Sequence, residues 1–419
     1  MGGMTTSHSS TRRPWSRRSL LGTLAVAPAA TVGGAWALTE AAGATGSDRS
    51  GAPRGGDSPV PPALRKGGEF DRYLSGLAAK DQFSGTVLVA RGGHPVLSRS
   101  YGFTDRKTRV RNRADTIFCL ASVTKLFTAT AVAQLVARGK LAVTDTIGEH
   151  LSGFSAPVAD KVTIHHLLTH TSGLGDFMQD KGYFDAAKTW TTPERMMDGT
   201  LEFIRKEQLA FEPGAGERYS NAGYHVLGCI VQQVSGQSYY QYVQRHVFGA
   251  AGMTDASFCT LPQWQSERRI AHPYPTDSSG KRHDALSTDA FVFIGDPAGN
   301  AFGTARDLVR FARALAAGSL LAAPYQEVFF TPKTALKPLP PPPGAPSMAE
   351  YGSYGAQLRL IDGRRWTAGH SGGAPGVYAN VDWFPGTDWT AVVLSNYDAP
   401  RSPTAPTVDL KLRTILTAS

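Results

Sequence analysis

The segment FSGTVLVARGGHPVLSRSYGF at residues 83–103 decides the fold, because it contains two strand-like runs joined by a glycine turn. Val87, Leu88 and Val89 form a continuous apolar run, which is typical of a strand buried on both faces. The turn RGGHP returns the chain into VLSRSYGF, so the sequence predicts an antiparallel hairpin. A helix is predicted before it at 69–81, with one apolar stripe: Phe70, Tyr73, Leu74 and Leu77.

Further strands are predicted at the other end of the chain. Four strand-like runs lie between 352 and 396: GSYGAQLRLID, RRWTAGH, GVYANVDWF and WTAVVLSN, the last two joined by the turn PGTD. VDLKLRTIL at 408–416 closes the chain as a helix. The middle is helical, with apolar spacings of three and four in these segments: 122–138, 163–169, 193–206, 222–235 and 305–317. We therefore predict an α+β fold with an antiparallel sheet built from both chain ends, helices on its faces and a large helical insertion.

Residues 1–44 have the features of an export leader. Four arginines precede an apolar run at 20–38, and small residues follow at 42–44. SRRSLLG at 16–22 resembles the twin-arginine signal, and the apolar run is too broken for a stable membrane span. We predict export by that route to a secreted or wall-associated location. Retention of the leader as an anchor stays open, as does a second cleavage site at 35–37.

The rest of the chain is predicted to be a flexible linker at 45–67 and a single domain at 68–419. The formal net charge is +9, and without the leader it is +6. This mild charge, without a basic run that contains aromatic residues, argues against a nucleic-acid partner. The cysteines are odd in number and show no paired spacing, so we expect buried thiols and no disulfide framework: Cys119, Cys229 and Cys259.

The first chemical motif is ASVTKLFTAT at 121–130, which places a lysine at a helix start. A cation is unfavourable there, because the helix dipole is positive at that end. Ser122 and Lys125 are three residues apart and share a helix face. Burial among apolar neighbours and the dipole both favour the neutral amine, which can accept the serine proton. The alternative is that Lys125 extends to solvent and Ser122 caps the helix.

The same spacing occurs a second time in this chain. Ser278 and Lys281 lie in the polar segment TDSSGKRHD, where nothing would desolvate the lysine. We interpret this second match as chance, so the environment of the motif carries the hypothesis and the spacing does not.

The second motif is ERYSNAGYHVLGCIVQQVSG at 217–236, where Tyr219 and Asn221 lie at the start of a buried helix. The phenol can relay a proton near the nucleophile, and the amide can hold a substrate carbonyl. The alternative is structural: Asn221 caps the helix and Tyr219 packs beside it.

The third motif is TAGHSGGAPG at 367–376, between two strand-like runs. Gly372 and Gly373 allow close approach of another backbone, as a bound acyl group requires. The amide of residue 122 and a strand-edge amide near residue 373 would form an oxyanion hole. The alternative is a glycine bend between strands, with His370 as a hydrogen-bonded edge residue.

His166 and His170 in HHLLTH (165–170) are four residues apart, a spacing at which two histidines can share a metal. No glutamate follows in the HExxH manner and no third ligand is evident. We therefore favour a structural role for these histidines and predict no metal and no cofactor.

In this order, the three motifs resemble those of the serine penicillin-recognising family, which contains D-alanyl-D-alanine carboxypeptidases, class C beta-lactamases and related esterases. The resemblance spans about 69–416 and includes LLTHTSGL at 167–174 and GTARDLVRFARAL at 303–315. It implies a beta-lactamase/transpeptidase-like fold and a serine hydrolase domain at 68–419.

The resemblance also implies a role for each matching residue. Ser122 would be the nucleophile, Lys125 its base, and Tyr219 the group that passes the proton to the leaving group. Asn221 would bind the substrate amide, with His370, Gly372 and Gly373 lining the substrate site. His370 stands where the beta-lactamase branch usually has lysine, so beta-lactam hydrolysis is disfavoured.

The leading hypothesis is therefore an exported acyl-enzyme hydrolase that acts on peptides ending in a D-amino acid, as D-alanyl-D-alanine carboxypeptidases do. An esterase on small acyl esters and a class C-like beta-lactamase are alternatives. A hypothesis of another class is a non-catalytic sensor that binds penicillin or wall fragments. All of these have a small-molecule or peptide partner.

Overall fold

A computed structural model describes residues 59–337, 346–398 and 405–418. The leader predicted at 1–44 lies outside the described residues, as does most of the predicted linker. Residues 59–67 of that linker are described, and Leu64 is fully buried in the core. The folded part therefore begins before the predicted boundary at 68, because this leucine packs beside the first helix.

The described residues form strands and helices that are numbered here along the chain. The strands are β1 Gly85–Arg91, β2 His94–Tyr101, β3 Phe103–Asp105, β4 Val110–Arg111, β5 Phe118–Cys119, β6 Phe302–Gly303, β7 Thr334–Ala335, β8 Met348–Gly352, β9 Gln357–Ile361, β10 Arg365–Ala374, β11 Val377–Trp383 and β12 Trp389–Ser395. The α-helices are α1 Glu69–Ala79, α2 Thr124–Ala137, α3 Ala156–Lys161, α4 Ile164–Leu168, α5 Tyr183–Ala187, α6 Pro193–Ile204, α7 Asn221–Ser235, α8 Tyr239–Val243, α9 Leu261–Ser266, α10 Ala305–Ala316, α11 Ala323–Phe330 and α12 Ala405–Ala418. Shorter 3₁₀ turns and one π turn lie between them: Pro62–Leu64, Ala121–Val123, Ile147–Glu149, Phe177–Gln179, Gln244–Gly249 and Ala285–Ser287.

The main sheet is antiparallel and has the strand order β2-β1-β12-β11-β10-β9-β8-β7. The N-terminal hairpin thus pairs with the last strand, with Val87 opposite Val393. The helices from α2 to α11 are inserted between the two groups of strands. The predicted α+β fold, with its sheet assembled from both chain ends, is confirmed.

The side chains of strand β1 pack against helices on both faces of the sheet. Val87 and Val89 point into a cluster with α1 and α12, while Leu88 and Ala90 belong to the larger core around α2 and α10. Because alternate side chains of a strand face opposite sides, a continuous apolar run requires helices on both faces. Full burial of each valine or leucine side chain stabilises the folded state by about 1.5–3 kcal/mol.

Two local expectations about loops and thiols can be compared with the structure. Strand β10 continues through His370 to Ala374, so the glycine bend considered for this segment is wrong. The three cysteines are free thiols as expected, two of them buried and Cys259 partly exposed. Within the described residues, no helix is both long and apolar enough to span a bilayer.

Candidate active site

Ser122 lies in the 3₁₀ turn that leads into α2. The residue before it, Ala121, has a φ of +43°, a left-handed conformation that is unfavourable for a side chain with a Cβ atom. Its carbonyl accepts hydrogen bonds from Thr124 Oγ1 at 2.7 Å and from the Asn300 amide at 3.1 Å. Ser122 makes no helix cap and is partly exposed, so the capping alternative is wrong.

Lys125 is fully buried in the first turn of α2, with 0% of its surface exposed. Its Nζ atom lies 2.7 Å from Asn221 Oδ1, 2.6 Å from the Ala298 carbonyl oxygen and 3.5 Å from Ser122 Oγ. The alternative that Lys125 extends to solvent is therefore wrong. The amine donates hydrogen bonds to the oxygens of Asn221 and Ala298, so its third substituent position faces Ser122 Oγ.

Tyr219 approaches the serine from the solvent side. Its hydroxyl donates to Ser122 Oγ at 2.8 Å, and 42% of the residue is exposed. The ring lies above Lys125 Nζ at 4.7 Å and beside the His170 ring at 4.6 Å. The serine hydroxyl therefore lies between a phenol and an amine.

His170 holds this tyrosine, and the sequence interpretation did not foresee that role. Its Nδ1 accepts a hydrogen bond from the Ser220 amide at 3.1 Å, and its ring lies between Tyr219 and Tyr224. Burial, with the charge of Lys125, lowers the pKa of His170 well below its ordinary value. A neutral imidazole thus supports the segment that carries Tyr219. The sequence favoured a structural role for the histidines of HHLLTH but gave no partner for His170.

Asn221 is the first residue of α7, and Ser220 is its N-cap through a bond from the Gly223 amide. The alternative that Asn221 caps the helix is therefore wrong. The Asn221 amide instead links two side chains: Oδ1 accepts from Lys125, and Nδ2 donates to Asp176 Oδ2 at 3.1 Å. Asp176 gave no recognisable motif in the sequence, because it lies in a loop far from α7 along the chain.

The loop that supplies the Ala298 carbonyl is held by an ion pair whose histidine is fully buried. Asp296 Oδ1 accepts from the amides of Ala298 and Gly299, both at 3.0 Å, and Oδ2 lies 3.1 Å from His225 Nδ1. His225 Nε2 lies 3.0 Å from the Met197 carbonyl oxygen. Burial alone would lower the pKa of His225, but the nearby Cys229 and Asp296 side chains raise it to about 10. Both ring nitrogens of the charged imidazole therefore donate.

Strand β10 passes close to the serine turn at Gly372. A Cβ atom there would lie 2.7 Å from the Ser122 amide nitrogen and 2.5 Å from the Leu120 carbonyl oxygen, so only glycine fits. Gly373 follows on the same strand and borders the cavity beside Ser122. The structure thus brings both glycines to the serine, as the third motif predicted.

His370 lies two residues before this contact but is only 4% exposed and does not border the cavity. Its Nδ1 faces the Ser371 carbonyl oxygen. Burial and the charge of Lys125 lower the pKa of His370 to about 3. The imidazole is therefore neutral at pH 7 and supplies no cation for a substrate carboxylate.

A cavity of about 310 Å³ opens beside Ser122. It is bordered by the serine turn, by β10 and by two walls that come from the segments around 177–196 and 290–300. The side chains of the walls are mostly apolar: Phe177, Met178, Tyr183, Phe184, Met196, Phe291, Val292 and Ile294. Among the described residues that border it, Asp296 is the one charged side chain, and none is lysine or arginine.

The two remaining candidates from the sequence are not brought to this site. Ser278 and Lys281 lie in an exposed turn, as expected for a chance match. His166 completes a capping box with Thr163 at the start of α4. In the part of the chain that the structure describes, no group of His, Cys, Asp or Glu side chains is arranged to hold a metal.

The sequence profile of the family described as beta-lactamase matches residues 70–413. The chain belongs to the beta-lactamase family. The match includes the serine turn, the start of α7 and strand β10, so it covers all three motifs.

Individual relatives are consistent with this assignment. Penicillin-binding protein 4* of Bacillus subtilis (strain 168) is 30% identical over 76% of this chain and 69% of its own length. Esterase EstB of Burkholderia gladioli is 37% identical over 45% of this chain and 49% of its own. The crystal structure of a penicillin binding protein from Bacillus halodurans has a TM-score of 0.70 and 29% identity, covering 82% of this chain and 99% of that one.

The coverage of these relatives limits which of their properties can be assigned to this chain. The aligned segments span about half to two thirds of their length. The chain is thus a member of a serine hydrolase family with a penicillin-binding and an esterase relative, and its own activity is a matter for proposal.

Proposed function

We propose that this protein hydrolyses uncharged esters and amides through an acyl-enzyme on Ser122. One observation carries the proposal: Ser122 Oγ lies 2.8 Å from Tyr219 Oη and 3.5 Å from Lys125 Nζ at the mouth of a cavity. A nucleophile between a proton acceptor and a proton donor is the arrangement that acyl transfer requires.

In the acylation step, Ser122 Oγ attacks the carbonyl carbon and its proton passes to the neutral form of the Lys125 amine. The new bond is Oγ–C, and the bond to the leaving group breaks. Tyr219 delivers the proton to the leaving atom and is recharged from Lys125. The amides of Ser122 and Gly373 are the proposed donors to the oxyanion, since Gly372 brings β10 against the serine turn. Water then attacks the ester carbonyl by the reverse proton path and frees the acid.

Asn221 and His370 take supporting roles in this proposal. Asn221 orients Lys125 and presents the face of its amide that borders the cavity to the substrate. His370 is neutral and buried, and it maintains β10 beside the serine. A carboxylate on the acyl group would have no cationic partner on the described cavity lining, which is why uncharged acyl groups are favoured.

The second candidate is a D-alanyl-D-alanine carboxypeptidase, the leading hypothesis from the sequence. Its support is the likeness to penicillin-binding proteins. The terminal carboxylate of such a peptide belongs to the leaving group, and the neutral His370 offers it no cation. The comparison of an ester, a neutral D-amino acid amide and a D-Ala-D-Ala peptide decides between the two.

The test combines intact-mass analysis with turnover. The protein, Ser122→Ala and Ser278→Ala are each incubated with a penicillin and with p-nitrophenyl acetate. We expect a covalent adduct and ester turnover in the protein and in Ser278→Ala, and neither in Ser122→Ala. An adduct that survives Ser122→Ala contradicts the assigned nucleophile. Binding of a penicillin or wall fragment without turnover of an ester, amide, peptide or cephalosporin would support the sensor alternative.

We also propose that the protein is exported by the twin-arginine route, on the support of SRRSLLG at 16–22 alone. Replacing Arg17 and Arg18 by lysine should retain the protein in the cytoplasm. Undiminished export of that variant would contradict the proposal.

A further inference from the structure

We infer that the cavity beside Ser122 is an acyl site for an apolar alkyl or aryl group, and that Phe184 and Phe291 set the length it accepts. The inference rests on the proposed function and adds the substrate class. Its substrates are esters or amides of short to medium, uncharged acyl groups.

The position of Tyr219 indicates on which side of Ser122 the leaving group lies and on which side the acyl chain lies. Tyr219 Oη, the proposed proton donor to the leaving atom, contacts Ser122 from the solvent side and does not border the cavity. The leaving group is therefore directed to solvent. The carbonyl carbon bonded to Oγ has one other substituent, the acyl chain, and the cavity bordered by Ser122 and Gly373 is the space that remains for it.

The lining of the cavity indicates what kind of acyl group it takes. Its walls are aromatic and aliphatic, and the carboxylate of Asp296 is compensated by the charged His225. No lysine or arginine among the described lining residues would hold an anionic group. The volume of about 310 Å³ is at the lower end of the range for ligand sites, about 300–1,000 Å³. A compact apolar group fits these conditions.

A length limit follows from a second groove behind one wall. This groove, about 400 Å³, shares three lining side chains with the cavity: Phe184, Phe291 and Val292. These side chains therefore form the partition between the two spaces. The partition joins two segments that an ion pair also links, since Lys188 next to α5 contacts Asp289 at 3.0 Å. Removing a partition ring would connect the cavity with the groove and make room for a longer chain.

The experiment measures kcat/KM for p-nitrophenyl esters from acetate to decanoate. In the unaltered protein we expect about a fourfold rise for each methylene that enters the cavity, followed by a fall once the partition is reached. Phe184→Ala should lengthen the acyl chain that gives the highest kcat/KM by at least two carbons, and Phe291→Ala should do the same. Phe184 is 36% exposed, so its truncation leaves the core intact.

Two further variants control this comparison. Val328→Ala alters a side chain that is 50% exposed and borders neither space, so its optimum should equal that of the unaltered protein. Ala290→Leu adds volume to the cavity lining and should shorten the optimum. An optimum that is the same in the protein and in all three partition and lining variants would overturn the inference, as would a rate independent of chain length.

Failure of the inference can be separated from failure of the proposed function. If Ser122 is acylated at equal rates by all chain lengths, the hydrolase proposal stands and the acyl site is wrong. If no donor acylates Ser122, binding of primary amides from butanamide to decanamide to Ser122→Ala is measured by calorimetry. If the chain length that binds most tightly shifts when Phe184→Ala is added to Ser122→Ala, the acyl site is supported. If there is no such shift, the acyl site is overturned.

Discussion

Two segments of this chain have serine and lysine three residues apart, and only one of them is built as a site. Ser122 and Lys125 lie at the start of α2, where the lysine is buried and contacts an asparagine, a backbone carbonyl and the serine. Ser278 and Lys281 lie in an exposed turn. The comparison teaches that burial and the groups that position the amine against the serine distinguish a built site, whereas the spacing alone does not.

The largest expected difference between the two segments concerns the serines. Ser122→Ala should abolish the covalent adduct and lower kcat by a factor on the order of 10⁶, the scale for loss of a nucleophile. Ser278→Ala should leave kcat unchanged. Intact-mass analysis and single-turnover kinetics on both variants provide the measurement. Equal effects of the two substitutions would remove the distinction between the segments.

The lysines should differ almost as strongly. Lys125→Met should lower kcat by about 10³–10⁴-fold, because the proton acceptor for Ser122 is lost. Lys281→Met should change neither kcat nor the free energy of unfolding by more than about 0.5 kcal/mol. The pH dependence of kcat/KM is measured for both. A Lys125→Met variant with full activity would show that another group accepts the proton.

Tyr219→Phe sharpens the comparison, because it alters the proton path and leaves the buried lysine in place. We expect kcat to fall by about 10²–10³-fold, with the melting temperature unchanged. The ring is partly exposed and keeps its contact with His170. The effect should decrease for esters with a good leaving group, which need less protonation. An equal loss for p-nitrophenyl and alkyl esters would contradict this role.

Asp296→Asn tests the surroundings of the lysine with both motif residues intact. The carboxylate fixes the Ala298 amide and, through that loop, the carbonyl that Lys125 contacts. We expect about a tenfold loss in kcat, and a loss of stability because His225 loses its partner. Adding His225→Gln should restore the melting temperature without restoring kcat. Recovery of both together would mean that the ion pair is purely structural.

The smallest expected effect is a pH dependence of stability caused by His370. Its pKa is about 3 when folded, against an ordinary value of 6.5. Between these values the unfolded chain binds the extra proton, so stability falls as the pH falls, by up to about 1.4 kcal/mol per pH unit. His370→Asn should reduce that slope in urea unfolding at pH 7, 6 and 5, and other histidines with a lowered pKa, such as His170, account for the slope that remains. An unchanged slope would show that His370 is not the group responsible.

Much of the fold was predictable from local patterns. The spacing of apolar residues along a helix or strand indicates which of its faces are buried against other elements. The run at Val87–Val89 indicated a strand covered on both faces; α1 and α12 cover one face, and α2 and α10 cover the other. The three motifs were predictable because each lies at the start or edge of a regular element. His170, Asp176 and His225 were not, since their partners lie far away along the chain.

The sequence by itself determined the elements, the order of the motifs and the residue types that can carry acyl transfer. The tertiary structure decided which serine-lysine pair is buried, what contacts the lysine, and how the walls from 177–196 and 290–300 enclose a cavity. The reason is physical. Secondary structure depends on neighbours within a few residues, whereas desolvation, charge compensation and cavity shape depend on groups that only folding brings together.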